Sequence, residues 1–160
     1  MAIELVNIDD RLIHGQIATS WVARKGIESI IIVNDKAAKD PVQAKIAGIA
    51  VPGKKVSIFG VKKFIEVVKS TEIKRVTMLI FTTPTDILEV VEAGIDIPVV
   101  NISGMRFGDG RERLHKNVSV TQVERVAIEA LLDKGIEVAA QTTLNDDRTN
   151  LADLLNKKEK

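Results

Sequence analysis

The run Ile30-Ile31-Ile32-Val33 constrains this chain more than any other feature, because every position is apolar and β-branched. A strand with one wet face alternates apolar and polar residues. A strand apolar throughout must be covered on both faces, as in the parallel sheets of α/β proteins. Comparable short runs occur at Ile3–Asn7, Ser29–Asn34, Lys55–Phe59, Arg75–Phe81, Pro98–Asn101, Asn117–Val120 and Glu137–Gln141. Helical patterns lie between them. Gln16–Lys25 places Ile17, Trp21 and Val22 on one side, and Pro41–Ala50 has Asp40 as N-cap and Pro41 at its first position. Val61–Ser70, Thr85–Ala93 and Thr121–Lys134 follow, with Gly94 and Gly135 where helices should stop and a short helix over Leu151–Leu155. This alternation predicts an α/β fold with a mostly parallel sheet and helices on both faces. With 160 residues the chain is expected to form one domain, residues 1–160, with a substantial core.

Composition removes several function classes. Aromatics are 3% of the chain, with no Tyr and the single Trp21, which argues against a base-stacking nucleic-acid surface. A net charge of +1, from 23 basic and 22 acidic residues, gives no general attraction to nucleic acid or anionic membrane. Zero cysteines exclude disulfides, thiolate zinc sites and thiol catalysis, and two separated histidines make no transition-metal site, so neither metal nor cofactor is expected. The opening Met1-Ala2-Ile3-Glu4 has no secretion pattern, and no apolar run approaches the ~20 residues of a membrane helix. The expectation is a free-standing cytoplasmic protein.

In open α/β sheets, ligands bind beyond the carboxyl ends of the strands. That rule gathers Ile8–Gly15, Thr82–Thr85 and Ser103–Gly110 at one rim, carrying Asp9, Asp10, Arg11, His14, Thr82, Thr83, Ser103 and Arg106. Ser103–Lys116, with Gly104, Gly108 and Gly110, reads as a long loop or small hairpin, and Arg106, Arg111 and Arg113 as a basic edge or scattered solvated charges. His115 falls away from the rim. The turn Asp9-Asp10-Arg11-Leu12-Ile13-His14-Gly15-Gln16 carries the most chemistry. An imidazole is a nucleophile near neutral pH and can take a phosphoryl group on a ring nitrogen. Arg11 supplies a planar fork for phosphate, the amides from His14 into the next helix an anion site, and Asp9 or Asp10 a partner for the ring or for Arg11. A capped loop with a solvent-exposed histidine fits the same residues.

Two further patterns fail on their chemistry. Gly48-Ile49-Ala50-Val51-Pro52-Gly53-Lys54-Lys55 nearly spells a P-loop, but Lys55 replaces the hydroxyl residue and the stretch leads from helix to strand. Asp9-Asp10 with Thr82-Thr83 suggests a phospho-aspartate receiver, yet the third strand ends Ile58-Phe59-Gly60 and the fifth Val99-Val100-Asn101, without the acceptor aspartate or the lysine. A receiver-like signalling domain and a non-catalytic α/β binding module are the competing readings.

The eight-residue histidine turn closely resembles that of the IIB component in the mannose/fructose/sorbose family of the bacterial phosphoenolpyruvate-dependent sugar phosphotransferase system. Ile32-Val33-Asn34-Asp35, the Pro84 turn, Asn101-Ile102-Ser103-Gly104-Met105 and Asn117-Val118-Ser119-Val120-Thr121 are similar to landmarks of that family. The resemblance implies a phosphotransferase with a mixed sheet. It implies that His14 takes a phosphoryl group at Nδ1 from a IIA phosphohistidine and passes it to a sugar held by the membrane components IIC and IID, to which the chain docks transiently. It also implies that Arg11 binds the phosphate, helped by loop amides at Gly15 and Gln16, with Asp10, Thr82 and Ser103 in support. The chain departs from the family pattern at Ser103 and Arg106, where glycine and histidine are frequent, and at Thr142-Thr143-Leu144-Asn145-Asp146, where a proline is expected. The sugar is not named by the sequence.

Overall fold

The computed structural model describes residues 2–159, with side chains for all of these except Ala18 and residues 156–159. Seven strands form one sheet in the order β3-β2-β4-β1-β5-β8-β9. The strands are β1 (Ile3–Asp9), β2 (Ser29–Val33), β3 (Lys55–Phe59), β4 (Thr77–Phe81), β5 (Val99–Gly104), β8 (Glu137–Ala140) and β9 (Thr149–Asn150), while β6 (Glu112–His115) and β7 (Val118–Val120) make a separate antiparallel hairpin. All pairings in the large sheet are parallel except that of β9 with β8, so the sheet is mixed and mostly parallel.

The apolar runs divide by alternation, as the pleat requires. Ile30 and Ile32 pack with Ile17, Trp21, Val22, Ala47 and Val51 on one face. Ile31 and Val33 join Phe64, Ile87, Val90, Ile128, Leu131 and Leu155 on the other. The first face is covered by the π-helical segment Ile17–Val22, α1 (Asp35–Ala38) and α2 (Pro41–Ala50). The second is covered by α3 (Val61–Ser70), α4 (Pro84–Glu92), α5 (Gln122–Asp133) and α6 (Leu151–Glu159). Each fully buried Ile, Leu or Phe adds about 1.5–3 kcal/mol of transfer free energy, so aliphatic side chains suffice where aromatics are few. Phe64 and Phe81 meet edge to face with centroids 6.3 Å apart. Asp40 caps α2 at Val42 N with Pro41 in the first turn, and Thr83 caps α4 ahead of Pro84. Thr121 is the N-cap of α5 rather than its first residue, closing a capping box with Glu124.

Three differences from the sequence expectations bear on the site. β1 runs on to Asp9 and β5 to Gly104, so Asp9 and Ser103 are strand residues, not loop residues. Pairing with a neighbour extends both strands past their apolar runs: Ile8 faces Ile102 and Asp9 faces Gly104, leaving Ser103 as the extra residue of a bulge. The helix after His14 is wound as a π-helix over Ile17–Val22, within a helical stretch covering residues 15–24. The segment after Gly104 is the small hairpin, held to the end of β5 by Met105 N to Asn117 O at 2.9 Å and Ser119 N to Met105 O at 2.8 Å. β1 leaves the sheet toward β2 on one side, whereas its neighbour β5 leads toward β8 on the other. The crevice between their carboxyl ends is therefore a topological switch point, the place where such sheets bind ligands.

Candidate functional site

The turn that follows β1 is folded by Asp9. Its carbonyl accepts Leu12 N at 3.0 Å, and its Oδ1 accepts Arg11 N at 2.9 Å. Leu12 sits at φ 61°, a left-handed conformation that costs a branched residue on the order of 1–2 kcal/mol. The reversal returns the chain over the strand end, and the His14 ring comes to lie against the Asp9 carboxylate, Nε2 to Oδ2 at 2.9 Å. Asp9 is fully buried, whereas the His14 side chain is 20% exposed. Ser103 Oγ donates to the same Oδ2 at 2.7 Å, and Arg11 Nε approaches Oδ1 at 3.4 Å. A carboxylate only accepts, so the shared proton sits on Nε2, and the lone pair of the neutral ring sits on Nδ1. Among the described residues Nδ1 makes no hydrogen bond. Since no buried polar side-chain atom among the described residues lacks a partner, Nδ1 meets solvent.

Beneath this turn runs a buried polar ladder that the sequence reading missed. Asn101 Nδ2 donates to Asn7 Oδ1 at 2.8 Å and to Gln141 O at 3.0 Å, and Asn7 Nδ2 donates to Ser103 Oγ at 2.8 Å. Asn7, Asp9, Asn101 and Ser103 are all among the buried polar residues. The available signal was that two apolar runs, Ile3–Asn7 and Pro98–Asn101, each finish in asparagine.

Arg11 and Gln16 line a cleft of about 350 Å³ together with Ser103, Arg106, Phe107, Arg113, Lys116, Asn117 and Thr142. Among the described residues this wall has four cations and no carboxylate, a charge pattern suited to an anion. Gly104 forms part of it, and the space above its Cα is closed: a Cβ there would lie 3.3 Å from Asp9 Oδ2 and 3.5 Å from Arg11 Nη2. Gly15 and Gln16 open the helical stretch, with their amides at its positive end. The far side of that helix is fastened by Trp21 Nε1 to Thr142 O at 3.0 Å and Leu144 N to Ser20 Oγ at 2.9 Å.

The structure thus brings His14, Arg11 and Ser103 together through Asp9, with Gly15 and Gln16 beside them. Asp10 turns to Arg106 instead, accepting its backbone N at 3.0 Å and its Nε at 3.2 Å, and so ties the histidine turn to the segment after β5. Thr82 stands apart, bonded to Asn34 Nδ2 at 2.9 Å and lining a second cleft with Asp10, Leu12 and Lys36. Of the three arginines in the glycine-rich segment, Arg106 and Arg113 reach the first cleft. Arg111 is spent on Glu124 Oε1 at 2.8 Å and Ser119 O. His115 meets Thr149 Oγ1 at 3.3 Å and has no part in the network. A separate carboxylate in the first turn of α4, Asp86, has its pKa raised from 3.8 to about 6 by burial and by the nearby charges of Asp35 and Glu89. Among the described residues no group of three or more His, Cys, Asp and Glu side chains could hold a metal ion, and no helix is long and apolar enough to cross a membrane.

A mostly parallel, doubly covered sheet with a carboxylate-held histidine and a basic cleft at its switch point defines the class. Residues 3–160 match the family of PTS system sorbose subfamily IIB components, and the chain belongs to that family. It is 38% identical to the PTS system fructose-specific EIIB component of Bacillus subtilis (strain 168), over 97% of this chain and 96% of that protein. It is 37% identical, along its whole length, to the PTS system mannose-specific EIIAB component of Escherichia coli (strain K12), and it spans about half of that relative, 50%. The crystal structure of the IIBSor domain of the sorbose permease from Klebsiella pneumoniae superposes with a TM-score of 0.89 at 32% identity, covering 98% of each chain.

Proposed function

We propose that this chain is a phosphocarrier of sugar uptake in which His14 accepts a phosphoryl group at Nδ1 from a IIA phosphohistidine and passes it to a sugar held by the membrane components IIC and IID. Membership of the IIB family supplies the reaction class, phosphoryl transfer in sugar uptake. One observation carries the residue assignment: Asp9 Oδ2 accepts a hydrogen bond from Nε2–H at 2.9 Å, which leaves Nδ1 as the open nucleophile. Transfer between two nitrogens proceeds in line through a loose transition state, so orientation and charge neutralisation do most of the work. Asp9 orients the ring and balances the positive charge it gains. Arg11 and the amides at Gly15 and Gln16 neutralise the phosphoryl oxygens. Asp10 and Ser103 act in support by holding the turn, Asp10 through Arg106 and Ser103 through Asp9, while Thr82 braces Asn34 across the neighbouring cleft. The basic cleft beside Arg11 receives the incoming phosphorylated partner, and docking at this rim is transient because donor and acceptor use it in turn.

The test is phosphorylation by phosphoenolpyruvate, the general phosphotransferase proteins and a IIA component, read by intact mass and acid lability. The expected result is one acid-labile phosphate, absent in His14→Ala and kept in His115→Ala. A folded His14→Ala protein that still takes up phosphate would overturn the assignment. A hydroxylamine-sensitive phosphate that is less acid-labile than phosphohistidine would favour the receiver reading, and none at all a binding module.

A further inference from the structure

We propose that Ser103, held in place by Asn7 and Asn101, raises the phosphoryl-transfer potential of His14 by drawing charge from the Asp9 oxygen that carries the ring. The inference rests on His14 being the phosphorylated residue. Its geometric basis is that Ser103 Oγ and His14 Nε2 converge on one atom, Asp9 Oδ2, at 2.7 and 2.9 Å. The direction of the serine hydroxyl is forced from behind. Gln141 O can only accept, so Asn101 presents its Nδ2 to it and to Asn7 Oδ1. Asn7 then presents its own Nδ2 to Ser103 Oγ at 2.8 Å. With that lone pair taken, the single Ser103 proton has Oδ2 at 2.7 Å and Ile8 O only at 3.4 Å, and it goes to the carboxylate. Burial keeps water from replacing any member, as Asn7, Asp9 and Ser103 are each no more than 1% exposed. The register shift between β1 and β5 falls at this same point, between the pairs Ile8–Ile102 and Asp9–Gly104.

The consequence follows from the charge balance. On loading, the Nδ1 lone pair forms an N–P bond as the donor's bond to phosphorus breaks, and the ring, which keeps its Nε2 proton, becomes a cation. On delivery, the N–P bond breaks, the electron pair returns to Nδ1, the ring becomes neutral, and the proton of the attacking hydroxyl is released to solvent. A carboxylate beside Nε2 therefore stabilises the loaded state over the unloaded one. A second donor on the same oxygen competes for its charge and weakens that stabilisation. Ser103 shifts the balance toward giving the group away. It acts through Asp9 and is a positioning residue.

The test loads the full chain with phosphoramidate, which transfers its phosphoryl group and leaves as ammonia, and follows loss of the group to water by intact mass. Ser103→Ala should hold the phosphoryl group about three- to tenfold longer than wild type, as expected for losing part of one charge-assisted hydrogen bond. Ser103→Thr, which keeps the hydroxyl, should stay within about twofold. Ser103→Cys, nearly isosteric with a weak donor, should move in the direction of Ala and repeats the test if Ala disturbs the fold. Equal or shorter half-lives in Ala and Cys would overturn the inference, as would a Thr variant that behaves like Ala. Failure of wild type to load, or loading retained in His14→Ala, would instead overturn the functional reading.

Discussion

Asp9→Asn is the substitution that most directly tests the ring geometry, because it keeps shape while removing the charge and replacing one acceptor with a donor. Four N–H or O–H groups converge on the carboxylate: Arg11 N at 2.9 Å and Nε at 3.4 Å on Oδ1, Ser103 Oγ at 2.7 Å and His14 Nε2 at 2.9 Å on Oδ2. An amide offers one accepting oxygen and one donating nitrogen. If the oxygen stays with Arg11, the nitrogen faces Ser103 and His14. Ser103 can rotate toward Ile8 O, now 3.4 Å away, but the ring can answer a donor only by accepting at Nε2. The tautomer then reverses, the proton moves to Nδ1, and the nucleophilic lone pair is buried. Each hydrogen bond to a charged group is worth about 1.5–3 kcal/mol. Two are weakened and one is partly recovered, giving an expected stability loss of about 2–3 kcal/mol, within the 5–15 kcal/mol typical of a domain. The same exchange beneath a catalytic histidine in a Ser-His-Asp triad lowers turnover about 10⁴-fold by fixing the wrong tautomer, and a fall of about 10³–10⁴ in phosphoryl uptake is expected here. Ring ¹⁵N shifts read the tautomer, urea unfolding the stability, and rapid-quench transfer from a IIA component the rate. A folded Asp9→Asn protein with Nε2 still protonated and uptake near wild type would refute the reasoning.

Three other outcomes follow from single contacts. Arg11→Lys keeps a positive charge but loses the fork, so phosphoryl uptake should fall about tenfold with the fold intact; unchanged transfer kinetics would assign the phosphate to the amides of Gly15 and Gln16. Gly104→Ala places a Cβ 3.3 Å from Asp9 Oδ2 and should depress transfer more than stability, as read by uptake rate against urea midpoint, because the carboxylate must yield to it; wild-type kinetics would show that the bulge absorbs the methyl. Asp86 binds its proton more tightly folded than unfolded, so its contribution to stability is present below its ordinary pKa of 3.8 and is lost as pH rises through about 6. Asp86→Asn should therefore stabilise the protein at pH 7–8 by about 1 kcal/mol after solvent screening, and have little effect near pH 4; a gain of the same size at both pH values in urea melts would exclude the titration.

The fold was legible because the strands are buried on both faces and the helices carry their caps in sequence. Asp40-Pro41, Gly94 and Gly135 stand at the boundaries anticipated for them. The sequence singled out His14 and Arg11 because one short turn offers an imidazole and a guanidinium together, and the structure places both against the Asp9 carboxylate. The choice between Asp9 and Asp10 was not. Neighbouring residues on a strand point to opposite faces, so the choice depends on whether β1 ends at Asn7 or continues to Asp9, which is fixed by pairing with β5 nearly a hundred residues away. Asn7 and Asn101 were overlooked for the same reason. At the end of an apolar run an asparagine reads as the start of a turn, and only the order β1-β5-β8 turns the two into members of one buried ladder. The π-winding of Ile17–Val22 leaves its apolar side readable, since Ile17, Trp21 and Val22 are buried as helical spacing suggests, but nothing in that spacing distinguishes a π-turn from an α-turn.

The site divides its tasks along a gradient of exposure. Asp9 is at 0%, His14 at 20%, Arg11 at 37% and Arg106 at 68% side-chain exposure. Groups that fix the His14 ring lie at the buried end, on two paired strands. Groups that would meet a phosphoryl group lie at the wet end, on long side chains. Arg11 spans the two, with its backbone N held firmly at 2.9 Å and its Nε only at 3.4 Å. The weaker bond is the one a phosphate would replace. Swinging the guanidinium from Asp9 to an incoming phosphate exchanges one anion for another and leaves the turn intact, because the backbone bond stays. The proposed carrier role, serving a donor and then an acceptor, would gain from this arrangement. The ring is oriented before either partner arrives, so neither has to supply the orientation, and both can bind weakly enough to leave.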